Sequence, residues 1–181
     1  NAEKHGGFFW WMDKNEEGTT KITVPEGGSG KSDVRDSKIY DNIEDIPLEY
    51  QQYAEVPFEI VSLKNYYLQK LEIVKSFDSD TLYEVLESEE KERICFWIKI
   101  YPEQILRVRE SYPGYSFLEN FEDDEIEFDI FMKDELKTEN NYIIIFYYGK
   151  EKYIIGGNNK DSLKELALEY KSVVVDNYVE K

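Results

Sequence analysis

Three consecutive residues, Gly30, Lys31 and Ser32, have the order found at the end of a phosphate-binding loop, where backbone N–H groups and a lysine surround the phosphates of a nucleotide. The full pattern needs a glycine five residues before Gly30, and this chain has Pro25 there. It also needs a helix that begins at the lysine, so that the helix N-terminus faces the phosphates. The residues after Lys31 lack helical periodicity. We therefore interpret this segment as a surface loop.

Nucleophilic catalysis is disfavoured because the chain is short of general bases. Lys31 stands where the nucleophile turn of a serine hydrolase needs its second glycine. His5 is the only histidine and Cys95 the only cysteine, so an activated serine or thiolate has little chance of a histidine partner. A lone cysteine between two apolar residues is typical of a small buried side chain. We predict no catalytic residue of this kind.

The chain also has little with which to hold a metal. One histidine and one cysteine cannot form a zinc site without several carboxylates. The densest acidic tract, Glu119–Asp129, offers the oxygen ligands that calcium prefers, but it lacks the order of acids and the glycine of an EF-hand loop. We interpret the tract as a solvated face and predict neither a metal nor a cofactor.

A carboxylate-dependent hydrolase stays open as an alternative function, because two acids on separate strands leave no sequence signature. Naming a pair among 39 acidic residues would be arbitrary. Trp10, Trp11 and Trp97 are the candidates for an aromatic platform that stacks on a sugar, although a place in the core is the stronger interpretation. On balance, we expect a protein that is not an enzyme.

Net charge points to the class of partner. The 39 acidic residues against 22 Lys and Arg give a formal charge of −17. Binding to nucleic acids and to anionic membrane surfaces depends on cationic side chains, so both are disfavoured. Basic proteins and divalent cations remain as partners, and an equally good interpretation is that the acidity only keeps the protein soluble.

Two acidic tracts, Asp78–Glu92 and Glu119–Asp129, flank predicted strands with almost no compensating base. Interspersed Tyr and Phe would supply aromatic anchors for an interface. They predict an interaction surface for a basic protein, of the kind that an inhibitor or immunity protein presents. The residues of this predicted surface are Asp78, Asp80, Glu87, Glu89, Glu90, Glu119, Glu122, Asp123, Asp124 and Glu125.

The start of the chain supports a second alternative. Asn1-Ala2 without an initiator methionine suggests a trimmed N-terminus, and this favours slightly an extracytoplasmic domain of a lipoprotein or anchored protein that binds a small molecule or a glycan. No apolar run is long enough for a transmembrane helix. We expect residues 1–37 to form a hairpin with a mobile glycine-rich loop, and residues 38–181 to form one α+β domain.

The stretch from Tyr142 to Tyr178 should be the centre of that domain. Tyr142–Tyr148 is apolar throughout, which predicts a central strand covered on both faces, and Lys152–Ile155 completes a hairpin. A helical stripe follows, with Ser162 or Asp161 as its N-cap. Its apolar residues are Leu163, Leu166, Ala167, Tyr170, Val173 and Val174.

The other elements differ in how clearly they are encoded. Alternation predicts strands at Arg93–Tyr101 and over residues 126–133, the latter with one wet face. A helix is predicted between Ile39 and Tyr53, ended by Pro57, and another over residues 103–111. Phe58–Phe77 and Thr81–Glu87 fit either strands or helices, and we favour strands for the first. The sum predicts a largely antiparallel sheet of about five to seven strands, with the C-terminal helix packed on one face and one or two further helices.

Overall fold

A single antiparallel sheet of eight strands organises the molecule, as a computed structural model shows for residues 34–104, 110–136 and 139–177. The order across the sheet is β1-β2-β3-β4-β8-β7-β6-β5, so two four-stranded meanders join where β4 pairs with β8. The strands are β1 (Val34–Tyr40), β2 (Tyr66–Ser76), β3 (Asp80–Ser88), β4 (Arg93–Ile100), β5 (Tyr115–Asp123), β6 (Ile126–Lys133), β7 (Tyr142–Tyr148) and β8 (Glu151–Gly157).

Two α-helices cover one face of this sheet, which we call the helix face. They are α1 (Leu48–Glu59) and α2 (Lys160–Asn177), with short 3-10 helices at Ile43–Asp45 and Val61–Leu63. The core between the sheet and the helices is built from alternate residues of the strands, such as Phe96, Phe146 and Ile155, and from residues of both helices. The predicted α+β class, with an antiparallel sheet and a C-terminal helix on one face, is confirmed, with one strand more than the predicted range.

The C-terminal part of the chain matches its prediction closely. β7 and β8 form the hairpin in the middle of the sheet, and every residue from Ile143 to Phe146 is buried. The stripe of α2 is buried as predicted except for Val173, which is partly buried. The cap differs from the prediction: the helix begins at Lys160, and Asn159 Oδ1 accepts the N–H of Ser162 at 3.0 Å. Asn159 is therefore the N-cap.

Several predictions in the first half of the chain need correction. Ile39 lies in β1, and α1 begins only at Leu48, after Pro47; Pro57 lies in its last turn and does not end it. Phe58 belongs to that helix, whereas the favoured strand is present as β2. Thr81–Glu87 is a strand, because its register pairs it with β2 on one side and β4 on the other. It lies inside the sheet, between β2 and β4.

Other predictions lie wholly or partly outside the described residues. The predicted hairpin at residues 8–24, the motif at Gly30 and most of the predicted helix at 103–111 fall there. The predicted loop extended to Ser37, but Val34–Ser37 belong to β1.

The face opposite the helices, which we call the second face, is also buried at its centre. Tyr83, Cys95, Trp97 and Ile154 are each at most 1% exposed, although this apolar cluster contains none of the described side chains of α1 or α2. The prediction of a wet face on β6 is therefore wrong at its middle, where Asp129 and Phe131 are 2% and 3% exposed. Both faces of the central strands are cores, and they differ in their polar content.

Candidate functional site

The exterior formed by the described residues is more acidic than the composition of the chain indicates. Among the described side chains that are exposed, eighteen are Asp or Glu and three are Lys, with no Arg. The exposed lysines are Lys38, Lys64 and Lys91. The exposed acids are Asp41, Glu44, Asp45, Glu49, Asp78, Glu89, Glu90, Glu92, Glu103, Glu110, Glu122, Asp124, Glu125, Asp134, Glu135, Asp161, Glu165 and Asp176.

This asymmetry arises because many lysines fold inward onto aromatic rings and carboxylates. Lys152 is 3% exposed, lies 5.1 Å from the centre of the Tyr112 ring and contacts Glu110 at 2.9 Å. Lys164 lies 4.6 Å from the ring centre of Phe121. A long aliphatic stem with a cationic tip can pack on a ring, whereas a short carboxylate is repelled by its face. Carboxylates consequently stay outside and dominate the surface field.

The structure divides the first predicted acidic tract between the two ends of β3. Asp78 and Asp80 lie at the end that adjoins the β2–β3 turn, whereas Glu87, Glu89 and Glu90 lie at the other end. Seven residues of extended strand separate Asp80 from Glu87 by about 23 Å. The tract is therefore two small clusters, and sequence proximity overstated its continuity.

At the β3–β4 turn one of the predicted acids lies beside an aromatic residue. Tyr67 is 55% exposed, and its hydroxyl lies 3.5 Å from Glu89 Oε1. Glu87 is ion-paired, because Lys91 and Arg93 lie 3.4 and 3.9 Å from its carboxylate. Glu90 is exposed. This end of the sheet therefore combines a tyrosine with carboxylates, as the sequence had suggested.

The second predicted tract forms part of the β5–β6 hairpin. We expected almost no compensating base near it, and this is wrong for three of its residues, which pair with lysines of α2. Lys164 of α2 contacts Glu119 at 3.1 Å, and Lys171 contacts Asp123 at 2.6 Å and Asp124 at 3.0 Å. These lysines follow the tract by about 40 residues, so only the packing of α2 could show the pairing. Their exposed neighbours are Glu122 and Glu125.

A second arrangement of carboxylates lies under α1. Tyr50 donates a hydrogen bond to Asp80 Oδ2 at 2.6 Å, and Tyr53 donates one to Glu151 Oε1 at 2.8 Å. Asp80 and Glu151 both pair with Ile100 of the strand between them, so they lie two strand spacings, about 10 Å, apart on one face. Burial raises the pKa of Glu151, against which the Tyr53 bond acts.

Glu84 is the most unusual carboxyl group of the described residues. It is completely buried on the helix face between Leu82 and Leu86, and neither carboxyl oxygen has a hydrogen-bond partner. Burial raises the pKa of Glu84 well above its usual range. Tyr170 of α2 is also fully buried with an unpaired hydroxyl, and its pKa is raised first by burial and then by Glu84. The alternation Leu-x-Glu-x-Leu was the signal that placed Glu84 in the core.

Among the described residues, the remaining candidates for chemistry, Cys95 and Trp97, are buried in the core. Cys95 is fully buried, and burial raises the pKa of its thiol to about 11, so it is a thiol and not a thiolate near neutral pH. Trp97 stacks on Tyr83 with ring centres 5.0 Å apart and is not available to a sugar. Within the described ranges, no group of three or more His, Cys, Asp or Glu side chains is placed to hold a metal ion.

Comparison with known proteins adds no identity to this geometry. No protein-family model matches the chain, and neither curated proteins nor solved structures give a significant match. Of the described helices, none has the length and apolar character needed to cross a membrane.

Proposed function

We propose that this protein is a non-catalytic module that binds a basic protein through its carboxylate-rich exterior. The observation that carries the proposal is the contrast of eighteen exposed acids with three exposed lysines among the described side chains. Such a field attracts a cationic partner over a distance and raises its association rate. In this respect the protein has the character of an inhibitor or immunity protein, an analogy at the level of class.

Exposed aromatic residues could supply the apolar contacts that a stable interface needs in addition to charge. Phe77 is 70% exposed beside Asp78, and Tyr67 is 55% exposed beside Glu89. Aromatic side chains contribute much of the affinity of protein interfaces, and the surrounding charges contribute more to encounter and specificity. A basic partner would therefore be held by a few rings within an acidic surround.

Affinity capture at low ionic strength tests the proposal. The immobilised protein should retain a basic protein that moderate salt releases, because exposed charges are screened within about 10 Å at 0.1 M salt. A neutral partner, or one that resists salt, would contradict it.

Two amide variants with equal net charge locate the effect. Glu89, Glu90, Glu122 and Glu125 become Gln in the first, which alters the predicted surface. In the second, the same number of exposed acids elsewhere become amides: Glu44, Glu103, Asp161 and Glu165. We expect a larger fall in the association rate for the first variant, and equal effects would show that only total charge matters.

The spacing of Asp80 and Glu151 favours a carboxylate-dependent hydrolase as a second candidate. A separation near 10 Å is close to that of the acid and base in inverting glycosidases, and the raised pKa of Glu151 suits a general acid. Two observations oppose this candidate. Glu151 is only 4% exposed, and both carboxyl groups already accept hydrogen bonds from tyrosines. Asp80→Asn and Glu151→Gln should abolish any hydrolysis of aryl glycosides, and a wild-type protein without such activity removes this candidate.

A further inference from the structure

β5 lies at one end of the strand order of the sheet. β5 pairs with β6 on one side, and among the described residues no strand pairs with its other side. Five of its nine residues are exposed, including Phe117 at 42% and Leu118 at 39%. An edge strand presents a row of backbone N–H and C=O groups that can bond to an added chain.

Two of the usual protections of an edge strand, lysine and proline, are missing from β5. Charged lysines and prolines commonly block edge strands, and the segment from Tyr115 to Asp123 contains neither. It has one bulge, between Phe117 and Glu119, and this leaves Leu118 without a partner in β6. Two adjacent apolar side chains at a bulge give an added strand something to pack on.

Charge indicates which strand would fit. β5 carries three acids and no base, and the adjoining turn adds Asp124 and Glu125. Glu122 and Glu125 project as exposed carboxylates beyond those that α2 neutralises. Oppositely charged residues on facing strands stabilise pairing, and like charges oppose it.

The opposite edge of the sheet is a natural comparison. β1 carries Arg35 and Lys38 with one acid, Asp36, so it does not share the acidity of β5. A cationic segment would therefore select β5 over β1.

We propose that β5 accepts an extended, cationic segment of the partner by strand addition, with a Lys or Arg facing Glu122 and an apolar residue facing Phe117. Both side chains lie on the second face, because their β6 partners Glu127 and Phe131 are four residues apart. This inference rests on the proposed function and specifies where and how the basic partner binds. Backbone hydrogen bonds would supply the affinity, and the acidic edge would supply the selectivity.

Capped peptides can act as probes. The first has seven residues, with Lys at positions 1 and 3 and Val elsewhere, so that antiparallel pairing places lysine beside Glu122 and valine beside Phe117. The second is the same peptide with alternate backbone nitrogens methylated, and the third replaces Val with Gly. Methylation removes N–H donors along one edge of the peptide, so we expect at least about tenfold weaker binding, since each hydrogen bond contributes about 0.5–1.5 kcal/mol. Amide hydrogen exchange should slow in residues 115–123 with the first peptide, and not in β1.

A matched pair of charge reversals tests the register. Glu122→Lys lies on β5 and Glu90→Lys lies on the distant β3–β4 turn, and both change one exposed carboxylate. We expect the first to weaken binding of the Lys-Val peptide by at least about threefold and the second to have little effect.

Three results would overturn the inference. They are equal binding of the methylated peptide, salt-dependent binding without protection of residues 115–123, and self-association of the protein with protection of both β1 and β5. The second of these leaves the proposed function standing. Failure of all three lysine-containing peptides to bind in any salt-dependent way would contradict the proposed function as well.

Discussion

The two faces of the sheet treat buried carboxyl groups in opposite ways. Glu84 on the helix face and Glu72 on the second face lie on neighbouring strands, and both are fully buried. Glu84 has no hydrogen-bond partner, whereas Glu72 accepts a hydrogen bond from Ser37 and lies 3.4 Å from Lys70. Two residues of one type and one degree of burial therefore differ only in what surrounds them.

The difference shows how each face is assembled. Rings and aliphatic chains of α1 and α2 fill the helix face. The ring of Tyr170, for example, packs against three rings of the sheet, those of Phe96, Phe146 and Tyr153. The second face interleaves apolar residues with polar pairs such as Lys70–Glu72 and Asn120–Asp129. An unpaired polar group in a dry core costs free energy, while a paired one becomes part of the packing. Identical substitutions on the two faces should thus have opposite effects.

The largest effect is expected at Glu72. Glu72→Met removes the carboxylate from a buried pair and leaves the Lys70 ammonium, on a side chain 9% exposed, without it. We expect a loss of about 3 kcal/mol in the free energy of unfolding, measured by urea denaturation. The double variant Lys70→Met/Glu72→Met should recover most of that loss, because it removes both charges. A double variant as unstable as the single one would contradict the pairing.

Glu84→Met should have the opposite sign. The linear thioether replaces an unpaired carboxyl group of similar shape among apolar neighbours, so we expect a gain of about 1–3 kcal/mol in the same measurement. A loss comparable to that at Glu72 would show that Glu84 has a partner in solution.

The pH dependence of stability isolates the proton on Glu84. Its pKa is raised by burial, so the folded state keeps a proton that the unfolded state releases above its own pKa of about 4.3. The folded state then binds more protons, and stability falls as pH rises, by about 1.4 kcal/mol per pH unit for one proton. Glu84→Gln should remove that part of the slope above about pH 5. Glu72 and Glu151, whose pKa values burial also raises, act in the same direction.

The smallest effect is expected at buried Lys171, because its two carboxylate partners are open to solvent. Lys171→Met removes the contacts of α2 with Asp123 and Asp124, and Asp124 is 83% exposed. Solvent screens such a pair, so we expect a loss of about 1 kcal/mol that shrinks in high salt. Hydrogen exchange should quicken in the β5–β6 hairpin, and an unchanged hairpin would show that the lysine does not hold it.

Sequence pattern was most reliable where one period dominated. The unbroken apolar run of β7 and the stripe of α2 predicted the centre of the fold, since continuous apolar strands need cover on both faces. Pattern failed at Thr81–Glu87, where Leu82, Val85 and Leu86 also fit a helix. There the strand pairing on both sides decided the outcome. β5 was missed because its exposed residues hide the alternation of an edge strand.

The candidate surface was predictable in composition and unpredictable in arrangement. The count of acids determined that the exterior would be acidic, because carboxylates are seldom buried without partners. Only the tertiary structure decided that β3 separates one acidic tract into two ends, that lysines from α2 cover part of the other, and that Glu84 lies in the core. Such pairings join residues far apart in the chain, and periodicity is local, so only the packed sheet could reveal them.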